Sequence, residues 1–407
     1  MKHLNALFIA FSFLFSLTIH SQEKENNFNF KWDNGFKLEN ADKSFKLAFG
    51  GRLMLDHAFF SQDEDLDAAF GPLVTKNGTE IRRARLFTSG TIYNNVVFKF
   101  DLSFEGGEVG MKDMYIGLQN VPVVGNIRVG NVKEPFRLEM LTSSKYITFL
   151  ERSLTSDFSP TRNNGILLFN EFANKTVGMQ AGLFRNANGT GNDISANNGW
   201  VFTSRLTGLP IDKKNEQEQL HLGVSYSYRK PNTKNYTVAS KPEANLSSIQ
   251  YISTGEIDNV SNINIINLEA AFVKKAFSLQ SEYLTAKVNR NIDFSNTYDF
   301  SSYYIQASYF LTGENKTLKN SYKGFGRIIP KKNFMKNSGA GAWEVALRYS
   351  HSDLNSEDIT GGEQSDITLG VNWYLNPVTR IMFNHIWEDV KNTGKASIFE
   401  VRFQVDF

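Results

Sequence analysis

Basic side chains carry the most suggestive chemistry in this sequence because they come in groups. Arg83 and Arg85 stand with Arg82 at the start of one apolar stretch, and Lys99 sits between Phe98 and Phe100. Lys133, Arg137, Lys145, Arg152 and Arg162 punctuate the stretch from Lys133 to Asn164. A third group, residues 313–339, sets Lys316, Lys319, Lys323, Arg327, Lys331, Lys332 and Lys336 against Glu314 alone. A guanidinium keeps its charge at any relevant pH, and its planar fork can hold two oxygens of one oxyanion. The chemistry on offer is therefore reversible anion capture, with several moderate sites in series so that an ion that binds can also leave. The candidates for such a row are Arg83, Arg85, Lys99, Lys133, Arg137, Arg152, Arg162, Lys323 and Arg327. The competing reading is internal pairing: Glu134, Glu139, Glu151 and Asp157 lie among the same residues, and Lys99 with Asp101 or Glu344 with Arg348 can pair across a sheet.

Other chemistry is poorly supplied. With no cysteine there is no disulfide, thiolate metal site or cysteine nucleophile. His57, His221, His351 and His385 form no His-Glu-x-x-His run, and neither a Gly-x-Ser-x-Gly elbow nor a phosphate-cradling glycine loop is present, so no enzyme, metal or cofactor is expected. A net charge of +2 is too small for a nucleic-acid partner.

Strands must position these groups. Phe399, Val401, Phe403, Val405 and Phe407 alternate with Glu400, Arg402, Gln404 and Asp406, one greasy face and one wet. The pattern recurs at Leu222–Tyr228, at Trp343–Ser350, at Asp366–Leu375 and at Val96–Ser103, while amphipathic helices are nearly absent. Strand parity turns Arg52, Arg83, Arg85, Lys99, Arg128, Arg205 and Arg348 to the wet side. Lys2 and His3 precede an apolar run from Ala6 to Ile19 and a small residue at Ser21, which reads as a signal peptide over 1–21. No later run is long and apolar enough for a membrane helix. Export without a helix leaves a soluble β-sandwich or a barrel in an outer membrane. Strands of about ten residues, the length that crosses a bilayer at a tilt, favour the barrel. So do aromatic side chains near strand ends and a terminal phenylalanine, Phe407, in the last strand.

Sixteen strands are expected, beginning near residues 45, 81, 95, 112, 126, 165, 175, 199, 218, 262, 275, 303, 342, 365, 378 and 396. That gives an all-β, 16-stranded antiparallel transmembrane β-barrel over 45–407, preceded by a periplasmic segment over 22–44. A barrel of this size encloses an aqueous channel. Short turns are expected at Asn94-Asn95, Ala173-Asn174 and Asn376-Pro377, with an acidic first outer loop over 59–80 and a long polar fifth loop over 230–261. The third loop, with Phe136, Leu138, Phe149, Leu150 and Phe158, is too apolar to float in solvent and is expected to fold inward as a constriction. Residues 313–339 fall on the periplasmic side, where a short turn is expected. They read as a solvated stretch, as two further strands, or as a basic element inside the lumen, where low-dielectric walls concentrate anions.

An ordered set of short runs then resembles the phosphate-selective porin O and P family. The runs are Arg82-Arg83-Ala84-Arg85, Lys112-Asp113 with Tyr115, Gly130-Asn131-Val132-Lys133-Glu134-Pro135-Phe136, Thr142-Ser143-Ser144 and Glu151-Arg152. They continue with Thr312-Gly313-Glu314, Gly341-Ala342-Trp343-Glu344, Arg348-Tyr349-Ser350, Asn372-Trp373-Tyr374-Leu375-Asn376-Pro377 and Arg402-Phe403-Gln404-Val405. The resemblance implies a Gram-negative outer-membrane porin, commonly a homotrimer, in which inward-folded loops and rows of arginines guide inorganic anions such as phosphate or polyphosphate. It further implies contact with outer-membrane lipid and recognition of Phe407 by the barrel-assembly machinery. A general non-selective porin and an exported β-rich binding protein are the alternatives. A plugged receptor is disfavoured, since 407 residues are too few for a plug and a barrel of about 22 strands.

Overall fold

Alternation along the chain dictates the wall. Between Ala342 and Ser356 the inward residues Glu344, Arg348, Ser350 and Ser352 are buried, while Leu347 among them faces outward and is exposed. The computed structural model describes residues 28–192, 199–291, 296–336 and 338–407. The signal peptide expected at 1–21 lies outside the described residues.

Sixteen antiparallel strands form a closed barrel. The first eight are β1 (Lys46–Gln62), β2 (Asn77–Ile92), β3 (Val96–Ser103), β4 (Gly110–Val121), β5 (Gly125–Lys133), β6 (Arg162–Phe172), β7 (Val177–Arg185) and β8 (Val201–Lys213). The second eight are β9 (Glu218–Arg229), β10 (Val260–Lys274), β11 (Phe277–Arg290), β12 (Thr297–Phe310), β13 (Ala342–Ser356), β14 (Ile359–Asn376), β15 (Thr379–Val390) and β16 (Gly394–Asp406). Each pairs with its neighbours in sequence, and β16 closes on β1 with Phe399 opposite Phe59 and Arg402 opposite Asp56. Every expected strand is present, its start displaced by at most six residues. No helix among the described residues is long and apolar enough to cross a membrane; the strands do so. Ahead of the barrel, Phe28–Trp32 and Phe36–Asn40 form a hairpin that pairs with the foot of β1, Phe36 lying opposite Phe49.

Short turns join β2 to β3, β4 to β5 and the other even-to-odd pairs at one rim, except β12 and β13, which a long basic connection joins. Tyr93 and Asn94 both take positive φ (47° and 68°), as a tight hairpin turn requires. The wall is uneven: β3, β5 and β7 have 8, 9 and 9 residues, whereas β13 and β14 have 15 and 18.

Three connections fill much of the interior. The third loop (134–161) folds inward as its apolar residues require, burying Phe136, Leu138, Phe149, Leu150 and Phe158. The fifth loop (230–259) departs from the expected solvent-facing connection and also turns inward. Val238, Ala244, Ile252 and Ile257, spaced through its polar sequence, are buried. The basic connection (311–341) leaves from the short-turn rim and adds no strand, only a bridge between Leu318 and Phe325. Those two side chains pack with Leu138 of the third loop and with Leu209, Ala271 and Val273 of the wall. The approach is close enough to require Gly324, whose Cβ would lie 1.8 Å from Thr142 Oγ1 of the third loop.

Candidate functional site

The third loop is tied to one side of the barrel. Arg380 donates to the Ile147 carbonyl (2.8 Å), Arg402 to Leu150 (2.5 Å), Asn372 to Thr148 (2.8 Å) and Arg348 to Glu151 (3.1 Å). The Glu151 carboxylate accepts both ends of the Arg82 fork, at 2.6 and 2.9 Å, and Arg402 at 2.9 Å. Burial opposes its charge, but Arg82 and Arg402 hold its carboxyl well below the usual carboxylate range. Glu243 of the fifth loop pairs with Arg348 and accepts from Thr368 and from the Leu154 amide, bonding the two loops to each other and to β13 and β14. Cations on this side meet anions: Arg205 pairs with Glu269 (2.5 Å), which also contacts His221 (2.7 Å).

The other side, walled by β1 to β7, is open. A cavity of about 650 Å³ lies there, lined by Arg52, Arg83, Arg85, Lys99, Lys112, Arg128, Lys133, Arg152, Arg162 and Lys323 against only Asp101 and Asp113. Ten cations to two carboxylates is a strongly positive field inside a chain of net charge +2. Two β-bulges bring further cations to the lumen face, one of them to this cavity. Met54 and Leu55 of β1 oppose Arg83 and Ile81, so the extra residue Arg82 turns inward beside Arg83. Phe100 and Leu102 of β3 oppose Met114 and Met111, which brings Lys112 and Asp113 both to the cavity. A bulge breaks strand parity in this way by inserting one unpaired residue.

Of the residues singled out in the sequence, seven line this cavity. Arg83 lies 3.9 Å from Glu151; burial opposes the charge of Glu105, but Arg85, donating to it at 2.9 Å, outweighs that and holds its carboxyl below the usual carboxylate range. Lys99 pairs with Asp113 at 2.6 Å and Asp101 at 3.1 Å; Arg162 also meets Asp113 at 2.6 Å. Lys133 donates to the Met140 carbonyl (2.5 Å), and Arg152 to the carbonyls of Glu139 (3.0 Å) and Thr142 (2.9 Å), so neither is committed to a carboxylate. Lys323, from the basic connection, completes the floor. Arg137 and Arg327 stand apart. Arg137 is fully buried, paired with Glu282 (2.6 Å) and Glu139 (3.1 Å), and Arg327 pairs with Asp406 and bonds to the Pro377 carbonyl. Glu344 pairs with Lys316 (2.8 Å) rather than with Arg348, which is taken by Glu243.

At its lower end the cavity narrows to a neck formed by Ser89, Tyr115, Arg128, Phe169, Tyr322 and Lys323, the residues it shares with a second chamber of about 590 Å³. Lys31 and Lys37 of the hairpin, with Lys43 and Lys46, line that chamber against Glu39 alone. Basic side chains therefore line both cavities, from the third loop toward the short-turn rim. Lys112 and Arg82 were outside the candidate row because parity counting places each on the wrong face; only the cross-strand register exposes them.

The family described as phosphate-selective porin O and P matches residues 55–407. Porin O of Pseudomonas aeruginosa is 26% identical over 391 residues, covering 86% of this chain and 84% of that protein. An uncharacterized protein of Caulobacter vibrioides is 27% identical over 372 residues, covering 87% of this chain and 70% of that one. Among solved structures, the anion-selective porin from Comamonas acidovorans superposes with a TM-score of 0.56 at 13% identity, covering 89% of this chain and 100% of that one. OmpT of Vibrio cholerae in its trimer form superposes with a TM-score of 0.54 at 11% identity, again over 89% and 100%. These structures share the barrel fold. The match reaches from Leu55 in β1 to the terminal Phe407, across all sixteen strands and the loops that shape the open cavity, and the chain belongs to the phosphate-selective porin O and P family.

Proposed function

We propose that this outer-membrane porin lets small oxyanions, phosphate or short polyphosphates, diffuse passively through the open side of its lumen. The observation that carries this reading is the ten-to-two excess of cations over carboxylates along a cavity that continues through a neck into a second basic chamber. β2, β4 and β6 descend while β3 and β5 ascend, so Arg83, Arg85, Lys112, Lys133 and Arg162 form the upper tier and Lys99 and Arg128 the lower. An anion attracted by the upper tier passes Arg152 on the third loop, descends to Lys99 and the neck, and is handed by Lys323 to the lysines of the hairpin. Arg85, Lys99 and Arg162 each keep one side on a carboxylate. That moderates their grip and suits flux better than one deep well. Arg137 and Arg327 serve the path indirectly, by holding the third loop and the basic connection in place.

Export through the signal peptide at 1–21, recognition of Phe407 by the assembly machinery and a homotrimer embedded in outer-membrane lipid belong to the same proposal. The strand end supports the second: Phe407 exchanges backbone hydrogen bonds with Gly51 at 2.7 and 3.1 Å, at the seam that closes the barrel. The trimeric OmpT relative in fold supports the third. The cation excess disfavours a general non-selective porin. The test is the zero-current potential of purified protein in a planar bilayer under a potassium chloride gradient. The expected sign is that of anion preference; a cation-preferring sign overturns the anion route and leaves only a pore.

A further inference from the structure

Arg128 differs from the other cations along the route. Its guanidinium carbon lies 4.7 Å from the Tyr115 ring centre and 4.5 Å from that of Phe169, so it is held by two aromatic side chains from the strands on either side. Phe169 in turn packs at 4.8 Å on Tyr322, over which the Lys323 ammonium sits at 5.4 Å. The result is a column of three rings and two cations at the neck, with Arg128 between Tyr115 and Phe169 and Lys323 on Tyr322. Arg85, Lys99 and Arg162 are engaged by carboxylates, Arg52 by Ser144, and Lys133 and Arg152 by main-chain carbonyls. Arg128 has no acceptor among the described residues, and its enclosed Nε–H is unpartnered.

We propose that Arg128 is a specificity-determining residue, an oxyanion selector clamped at the neck between the two chambers. Held by the two rings, the guanidinium offers its edge, where the donors form a fixed fork. Two parallel hydrogen bonds from that edge fit two oxygens of one tetrahedral oxyanion. A halide presents a single centre on which both donors must converge, so it matches the parallel fork less well than two oxyanion oxygens do. Clamping also removes the rotamer freedom that a free arginine would lose on binding, so the selector is preorganised. Both chambers share these residues, so the cluster stands where the proposed route leads from one to the other.

This inference rests on the proposed anion route, and the experiment separates the two. Arg128→Lys keeps the charge and removes the fork. Phosphate-to-chloride permeability ratios are read from bi-ionic potentials, and the phosphate concentration that halves chloride current is read beside them. For Arg128→Lys we expect retained anion-over-cation preference. The permeability ratio should fall roughly fivefold and the half-blocking concentration rise as much, the loss of about one hydrogen bond. Phe169→Leu, which alters no charge but removes one of the two rings that hold the guanidinium, gives a smaller change in the same direction and serves as the second variant should Arg128→Lys fail to assemble. Unchanged ratio and unchanged block in the assembled variant overturn the selector while leaving the anion route standing. A wild type without anion preference overturns the route, and the selector with it.

Discussion

The two sides of the lumen hold similar numbers of arginines and use them oppositely. Between β8 and β16, Arg137, Arg205, Arg348 and Arg402 are buried against Glu282, Glu269, Glu243 and Asp56, and the third and fifth loops fill the space. Between β1 and β7 ten cations line a cavity whose own carboxylates are only Asp101 and Asp113, with Glu105 and Glu151 beside it meeting Arg85 and Arg83. The difference follows from solvation. A charge sealed among protein atoms is tolerable only when paired and hydrogen-bonded, whereas one that reaches water can stay uncompensated and act at a distance. The near-neutral total of +2 therefore conceals a self-neutralised scaffold beside a strongly basic route.

That contrast can be broken from either side. The largest effect is expected in the scaffold: Glu282→Ala takes the nearer of two carboxylates from the buried Arg137, leaving Glu139, and should destabilise the loop's attachment by about 3 kcal/mol, the low end for a broken buried pair. The measurement is the temperature at which the folded, heat-modifiable gel form is lost, with noisier or larger single-channel conductance as the third loop loosens. Next comes the route itself. Replacing Arg83 and Arg152 together by alanine should leave the folded form intact and lower the anion-to-cation permeability ratio roughly tenfold. At about 10 Å in a water-filled cavity, with a dielectric constant of about 80, each charge contributes about 0.4 kcal/mol, favourable to an anion and unfavourable to a cation, so removing two shifts the ratio by roughly 1.7 kcal/mol. An unchanged ratio would return both residues to structural pairing.

The smallest effect concerns pH. Lys323 touches the cavity, yet its enclosure by the barrel, with Arg128, Lys319 and Lys99 nearby, pushes its ammonium down to about 8; Glu171 is the one carboxylate opposing this. A lowered lysine is charged below that pH and neutral above it. Anion preference should therefore decline modestly as pH rises from about 7 to 9, one charge of ten being lost, and Lys323→Met should abolish the decline.

Period-two alternation made the barrel legible, because every strand keeps one face to lipid and one to the lumen. Apolar residues between Phe136 and Phe158 likewise forced the third loop inward. What stayed hidden was long-range partnership. Nothing local to Arg137 reveals Glu282 across the lumen, so a residue that resembles a member of the anion row is a buried anchor. Arg82 and Lys112 were hidden for another reason: a single inserted residue reverses parity, and the insertion is visible only in the pairing of two strands. The fifth loop hid its buried apolar residues in a polar composition, and its inward course depends on Glu243 finding Arg348.

The claim that ions use only the β1–β7 side is most directly tested by thiol modification, because the chain has no cysteine of its own. Ser89 lies in the neck, and Ser352 is fully buried on the lumen face of β13 on the packed side. Single variants Ser89→Cys and Ser352→Cys, treated in a bilayer with a negatively charged methanethiosulfonate, should separate cleanly. The account predicts that current through Ser89→Cys falls on modification while Ser352→Cys is untouched. Block at Ser352→Cys with none at Ser89→Cys would contradict it.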